Sequence, residues 1–456
     1  MKDFYDTVEA AKTGGNSRVR YGFVPYSTTV NVGRLIYDAN PNYLVDNWTY
    51  QSREAVFEEE ESNTVTGWYP PVYSSSDSYS DIFSYGWQYY NGTRYRRSNQ
   101  CESARPNDTS WINSGSTSTS TTQEINGAGQ RVTTTTTSQP QVRTDYACYR
   151  QSRRRYYIIQ RTQQRTYDQS EIATEDPIVT TTTTTIFDKW DYKPVSYDVS
   201  SYKAFSAVTT ATGTDGANQS STWGGCIQER DTVATDTFSF SSVTGMTPSN
   251  AYDLDIDLAP NGSDQRKWRP LWPEISYFRT TDSSNRYYSS SNSSDYGSKT
   301  SDACPIASQL LTSMTESEFD AYADALNPQG STYHDIGMIW GARLASPTGI
   351  FQDNVTAAAA NGGSVARHVI FMTDGQMSTN TGGQTAYGVE WHDRRITDNG
   401  YSENNSRHTD RFLAVCEATK AKGIRVWVIA FASNLTTDLE TCASADSAFP
   451  AASAAQ

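Results

Sequence analysis

The chain reads as an α/β protein, a parallel sheet with helices, interrupted by a large β-rich insert. After Cys304, strand-like apolar runs alternate with amphipathic helical runs, which implies a parallel sheet covered on both faces. From about Asp46 to Thr300 the composition turns to Ser, Thr, Tyr, Asn and Gly with few aliphatic residues, the mark of an insert. At 456 residues and 36% hydrophobic, the chain is also too long and too polar for one continuous core.

The elements follow in order. Met1, Phe4, Tyr5, Val8 and Ala11 recur at helical spacing until Gly14 and Gly15 stop them. Val19, Tyr21 and Phe23 alternate with polar or small residues, a strand that ends near Pro25. A chain that opens partway along an uncapped amphipathic helix is expected to lack the start of its domain. Inside the insert, QRVTTTTTS (130–138) and PIVTTTTTTIF (177–187) have the β-branched content of strands, and NGAG before the first is a turn signal. The two Thr runs are expected to pair as exposed ribbons. SSSDSYSD (74–81) and SSSNSSDYGS (289–298) look more like a disordered stalk. Beyond Cys304, Thr315 with Glu318 forms a capping-box pattern before a helix over 315–326. A helix over 333–344, a strand over 368–372, a helix over 409–422 stopped by Gly423, and a strand over 424–432 complete the alternation.

A net charge of −14 leaves no basic face for a phosphate backbone, so nucleic acid is not the expected partner. The longest apolar runs, such as Val426 to Ala432, fall far short of the ~20 residues that span a bilayer. Cys101, Cys148, Cys226, Cys304, Cys416 and Cys442 show no Cys-x-x-Cys spacing, which argues against a zinc ribbon and favours an oxidising compartment. Six cysteines leave about fifteen connectivities open. Placement along the chain favours Cys416 with Cys442 across a strand, Cys226 with Cys304 at the far end of the insert, and Cys101 with Cys148 within it.

Two motifs bear on chemistry. HVIFMTDG (368–375) is a buried strand ending on Thr373, Asp374 and Gly375, where a doubly wound sheet places its ligands, although Asp-Gly is also a common turn. GSTYHDIGMIWG (330–341) puts Ser331 and Thr332 before a helix, as an N-cap or, paired with the first motif, as half of a hard-cation site. Asp253, Asp255 and Asp257 imitate an EF-hand opening, but Leu258 and Asp264 break the pattern, so a strand burying Leu254, Ile256 and Leu258 is expected instead. His392 with Asp393 and His408 with Asp410 lack zinc-ligand spacing and read as surface groups. No nucleophile motif stands anywhere, so no enzymatic activity is expected.

NPQGSTYHDIGMIWGARLASPTGIF, RHVIFMTDG, KAKGIRVWVIAF and CAS resemble the von Willebrand factor A-like domain of TadG-type proteins of the bacterial tight-adherence (Flp) pilus. GFVPYSTTVNVG, WGGCIQERD, DLDIDLAP and WRPLWPE look like the same family. The resemblance implies a Rossmann-like domain, incomplete at both ends, split into residues 1–45 and 301–456 around a partly disordered insert over 46–300. It implies a metal-ion-dependent adhesion site in which Thr332 and Asp374 match two elements, while the Asp-x-Ser-x-Ser element is absent. Mg²⁺ or another divalent cation would then bind the intact protein, and this chain weakly or not at all. A membrane anchor is expected upstream. The implied role is a non-enzymatic envelope or cell-surface protein, in pilus assembly or adhesion to a protein or surface ligand. The alternatives are a structural assembly module with a vestigial metal site, or an adhesin unrelated to pili. The 30 tyrosines suit either recognition or the packing of a thin polar layer.

Overall fold

The structure, a computed structural model, describes residues 1–12, 17–275, 277, 289–292, 304–358, 362–431 and 434–451. It is mixed α/β and separates into two compact units, one of residues Met1–Glu58 with Ile186–Gln456 and one of Glu59–Thr185. The second unit is narrower than the compositional insert, because residues 46–58 and the described residues between 186 and 292 cluster with the first.

Helix α1 (Lys2–Ala10) and strand β1 (Tyr21–Phe23) open the first unit, and β2 (Asn47–Trp68) carries the chain into the second. The main strands there are β3 (Val72–Ser84), β4 (Ser118–Ile125), β5 (Arg131–Ser152) and β6 (Arg155–Glu175). Strand β7 (Pro177–Asp198) returns beside β2. The first unit resumes with β8 (Ile227–Gln228), β9 (Arg269–Pro270), β10 (Gln309–Thr312), α2 (Glu316–Asp324) and α3 (His334–Ala345). It closes with β11 (His368–Thr373), α4 (Asn404–Ala421), β12 (Arg425–Phe431), α5 (Thr437–Cys442) and β13 (Ala448–Ala451).

In the first unit β11, β12 and β13 form a parallel sheet, with Val369 opposite Val426 and Val428 opposite Ala448. Val426, Val428 and Ala430 are buried against α4, where Phe412 meets Phe371 at 5.2 Å. Their alternates do not share that cover: Trp427 is half-buried, and Met372, Phe431 and Phe449 are exposed. The expectation of a sheet covered on both faces is therefore corrected. Alternation along β12 is the signature of a half-covered sheet, and on the open face the Arg425 guanidinium lies 4.5 Å from the Trp427 ring. Strand β13, past Cys442, was not foreseen.

Local signals are realised where expected. Thr315 N–H donates to Glu318 Oε2 at 2.8 Å and Glu318 N–H to Thr315 Oγ1 at 3.3 Å, the reciprocal capping box that starts α2. Helix α4 begins at Asn404, ahead of the expected Thr409, and gives way to Gly423 at φ 71°. Helix α1 buries only Tyr5, against Phe319 and Tyr21. Gly14, Gly15 and Ala432 lie outside the described residues.

The second unit is an antiparallel sheet in the order β3, β6, β5, β4. The two Thr runs are both strands, but they are not partners. Thr135 faces Thr121 on one side and Glu171 on the other, while residues 177–187 belong to β7. The reason is local: the tight turn at Arg153 and Arg154 and the Asn126 turn claim both edges of β5 first. Asn126 Oδ1 accepts Ala128 N–H at 2.9 Å and Gln130 N–H at 3.0 Å. The segment 74–81, expected as a stalk, is strand β3, paired with β6 from Val72 to Ser84; of residues 289–298, only 289–292 are described, and Ser289–Ser291 pair with β7.

Little apolar surface is buried in this unit; Ile158 is its one fully buried aliphatic side chain among the described residues. Arg–aromatic stacking substitutes, with Arg165 lying 3.7 Å from the Tyr79 ring and 4.3 Å from Trp111, and Arg161 4.7 Å from Trp87. Arg131 donates to Glu175 at 2.7 Å across the β5–β6 pair.

Candidate functional site

The two sequence motifs meet at the carboxyl end of β11. Thr332 N–H donates to Ser378 O at 2.8 Å and Ser378 N–H to Thr332 O at 2.9 Å, so the segment before α3 and the loop after β11 form a two-way bridge. Tyr333 Oη donates to Asn380 O at 3.0 Å and accepts Asn380 N–H at 2.8 Å. Neither Ser331 nor Thr332 caps α3; its N-cap is Tyr333, and no side-chain cap bond forms. The capping role weighed for these hydroxyls is therefore corrected, because the bridge to Ser378 sets the backbone approach to the helix. Within α3, Gly337 lets the Tyr26 ring come so close that a Cβ there would stand 2.5 Å from it.

Asp374 is exposed and Thr332 half-buried, while the neighbouring Thr373 is buried, with its hydroxyl 3.0 Å from His334 Nε2 and donating to Gly375 O at 3.1 Å. Burial pushes the His334 imidazole down to about 4, against the opposing pull of Asp335, so it is neutral at physiological pH. Thr332 and Asp374 supply one hydroxyl and one carboxylate toward the six oxygens of an octahedral Mg²⁺ shell. Among the described residues no group of three or more His, Cys, Asp and Glu gathers to hold a metal.

Below the rim lies a buried charge network that sequence reasoning missed. Glu229, just after β8, accepts Trp340 Nε1–H at 2.5 Å, Arg343 Nη1–H at 2.8 Å and Trp268 Nε1–H at 3.1 Å. Although burial raises its pKa, Arg343 and Arg230 outweigh that and hold it below the usual carboxylate range. Asp253 accepts from Arg411 and, at 2.9 Å, from Tyr387 Oη. Asp335 lies 2.8 Å from His408 Nδ1. Burial pushes Arg411 down to about 9, which still leaves it charged at neutral pH.

Two expectations fall here. His408 is 1% exposed rather than a surface group, because Asp335 gives it a buried partner. Residues 253–258 form turns, not a strand, and Asp253 is fully buried while Asp255 is exposed. The alternation failed because Arg411 and Tyr387 compensate the buried carboxylate. Among the other groups read as surface, His392 and Asp410 are half-buried and Asp393 is exposed. A sequence signal for the network was arginine inside an otherwise apolar helical stretch, at Arg343; Arg411, preceded by the polar run 404–410, gave no such signal.

All six cysteines are paired. The bonds are Cys101–Cys148 within the second unit and Cys226–Cys304 and Cys416–Cys442 within the first. The last joins α4 to the end of α5. Among the described residues no helix is long and apolar enough to cross a membrane. Compared with known proteins, the chain matches no family model, no curated protein and no solved structure.

Proposed function

We propose that the chain is a non-enzymatic, extracytoplasmic component of a tight-adherence pilus system. It would carry a Rossmann-like von Willebrand A-type domain, with the second unit displayed for contact with a protein or surface ligand. The observation that carries this reading is the bridge between the Thr332 segment and the loop after Asp374, at the carboxyl end of a parallel strand. Three disulfides support an oxidising compartment. Exposed Tyr73, Tyr79, Tyr89 and Tyr90 on the second unit support a recognition role. In this proposal the intact protein, anchored in the membrane, would bind a divalent cation only with the help of an Asp-x-Ser-x-Ser element.

A second reading, a structural assembly module with a vestigial site, is favoured by the small oxygen set at Thr332 and Asp374. Adhesion of cells carrying the intact protein decides between the two. Adhesion lost with chelator and with Asp374→Ala supports metal-dependent binding. Adhesion unchanged in both, with pili missing only when the gene is deleted, leaves the assembly module; pili and adhesion both intact after deletion sink the pilus reading altogether.

A further inference from the structure

Away from the rim, the first unit holds a cleft of about 230 Å³ lined by Trp48, Tyr50, Gln51, Gln228, Asp231 and Arg395, among others. Its walls come from the start of β2, from β8 and its flank, and from the turn at Gly388. That turn depends on its glycine: φ is 77° and a Cβ would stand 2.3 Å from Asp393 Oδ2.

Most polar groups around the cleft are committed. Gln51 Nε2 donates to Asp393 Oδ1 at 2.8 Å, Val389 N–H donates to Asp393 Oδ2 at 2.6 Å, and Tyr50 Oη donates to Pro270 O at 2.7 Å. Arg395 Nη2 is held by the carbonyls of Glu229 and Arg230 at 2.6 Å each, while its Nη1 has no partner among the described residues and adds a donor. Arg269 pairs with Asp231 through Oδ1 and lies 3.9 Å from the Trp48 ring.

Gln228 stands apart. It is 4% exposed, it lines the cleft, and its side-chain amide makes no hydrogen bond among the described residues. The amide opens onto the cleft with donor and acceptor both uncommitted, so a ligand able both to accept and to donate can pair with it. Asp231 Oδ2, with no bonded partner among the described residues, adds an acceptor at the same wall.

The lining also sets the ligand class. The volume lies below the ~300 Å³ at which drug-sized sites begin, so the cleft suits one ring rather than a peptide. Asp231 is balanced by Arg269 and Asp393 is bonded to an amide, which disfavours a free metal ion, while two carboxylates facing the single guanidinium of Arg395 on the lining disfavour an anion. Amide and carboxylate beside aromatic side chains match a ligand with hydroxyl edges and a C–H face.

We propose that this cleft binds a single neutral pyranose, with the Gln228 amide spanning two adjacent hydroxyls and Asp231 accepting from one of them. The proposal is independent of the pilus reading. Its test is saturation-transfer NMR of the full chain with glucose, galactose, mannose and N-acetylglucosamine, at concentrations suited to a Kd of about 1 mM. At least one sugar should receive transfer, and Gln228→Met should weaken its binding roughly tenfold or more. That variant deletes an unpartnered amide, so its melting temperature should hold or rise. Asp231→Asn, read beside it, should weaken the same sugar and decides the matter if Gln228→Met does not fold. No transfer to any of the four sugars, or transfer unchanged in the variants, overturns the proposal.

Discussion

His334 shows how one buried side chain links the rim to solution conditions. Its folded-state pKa is about 4 against an unfolded value near 6.5, so between these the unfolded chain binds a proton that the folded chain refuses. Stability conferred by the neutral imidazole is complete above pH 6.5 and is lost as pH falls toward 4, by up to about 3 kcal/mol. Denaturant titrations at pH 7 and pH 5 should therefore show a fall that is smaller in His334→Gln. Equal falls in the two proteins would refute the assignment. Single residues also mark what the sequence concealed. Thr315 and Glu318 were legible because both capping partners lie within one turn. Asp335 and His408 were not, since each acquires meaning only from a partner 73 positions away.

Helices α3 and α4 are joined to the loops around Glu229 and Asp253 through charge as well as apolar contact, because Arg343 and Arg411 project from them into fully buried positions. Removing one member strands its partner's charge. Arg343→Met should cost about 3–5 kcal/mol in denaturant unfolding. A loss under about 1 kcal/mol would mean that Glu229 is satisfied by its two tryptophans alone. The strands divide along the same line. The apolar run of β11 and the helix-strand alternation after it could be read in advance because their pattern is continuous in sequence. The partners of Thr133 to Thr137 could not, since identical side chains carry no register information.

The whole chain combines two kinds of construction. The first unit buries a continuous core running from Val30 to Ala443, whereas the second relies on ladder hydrogen bonds, Arg–aromatic stacking and one disulfide. Composition foresaw a polar insert but placed its edges at 46 and 300, because residues 186–300 share that polarity while contributing Trp223, Trp268 and Trp272 to the first core. Replacing Cys101 and Cys148 by Ser should lower the second unit's calorimetric transition, by about 4 kcal/mol for a loop of 47 residues, and leave the first unit's unmoved. A shift in both transitions would show that the units melt as one. Cys226–Cys304 has a different consequence, for a chain that meets proteases. The bond closes residues 226–304 into a covalent ring, so a single nick at any peptide bond inside it severs the backbone without releasing a fragment. The halves would separate only in the presence of thiol.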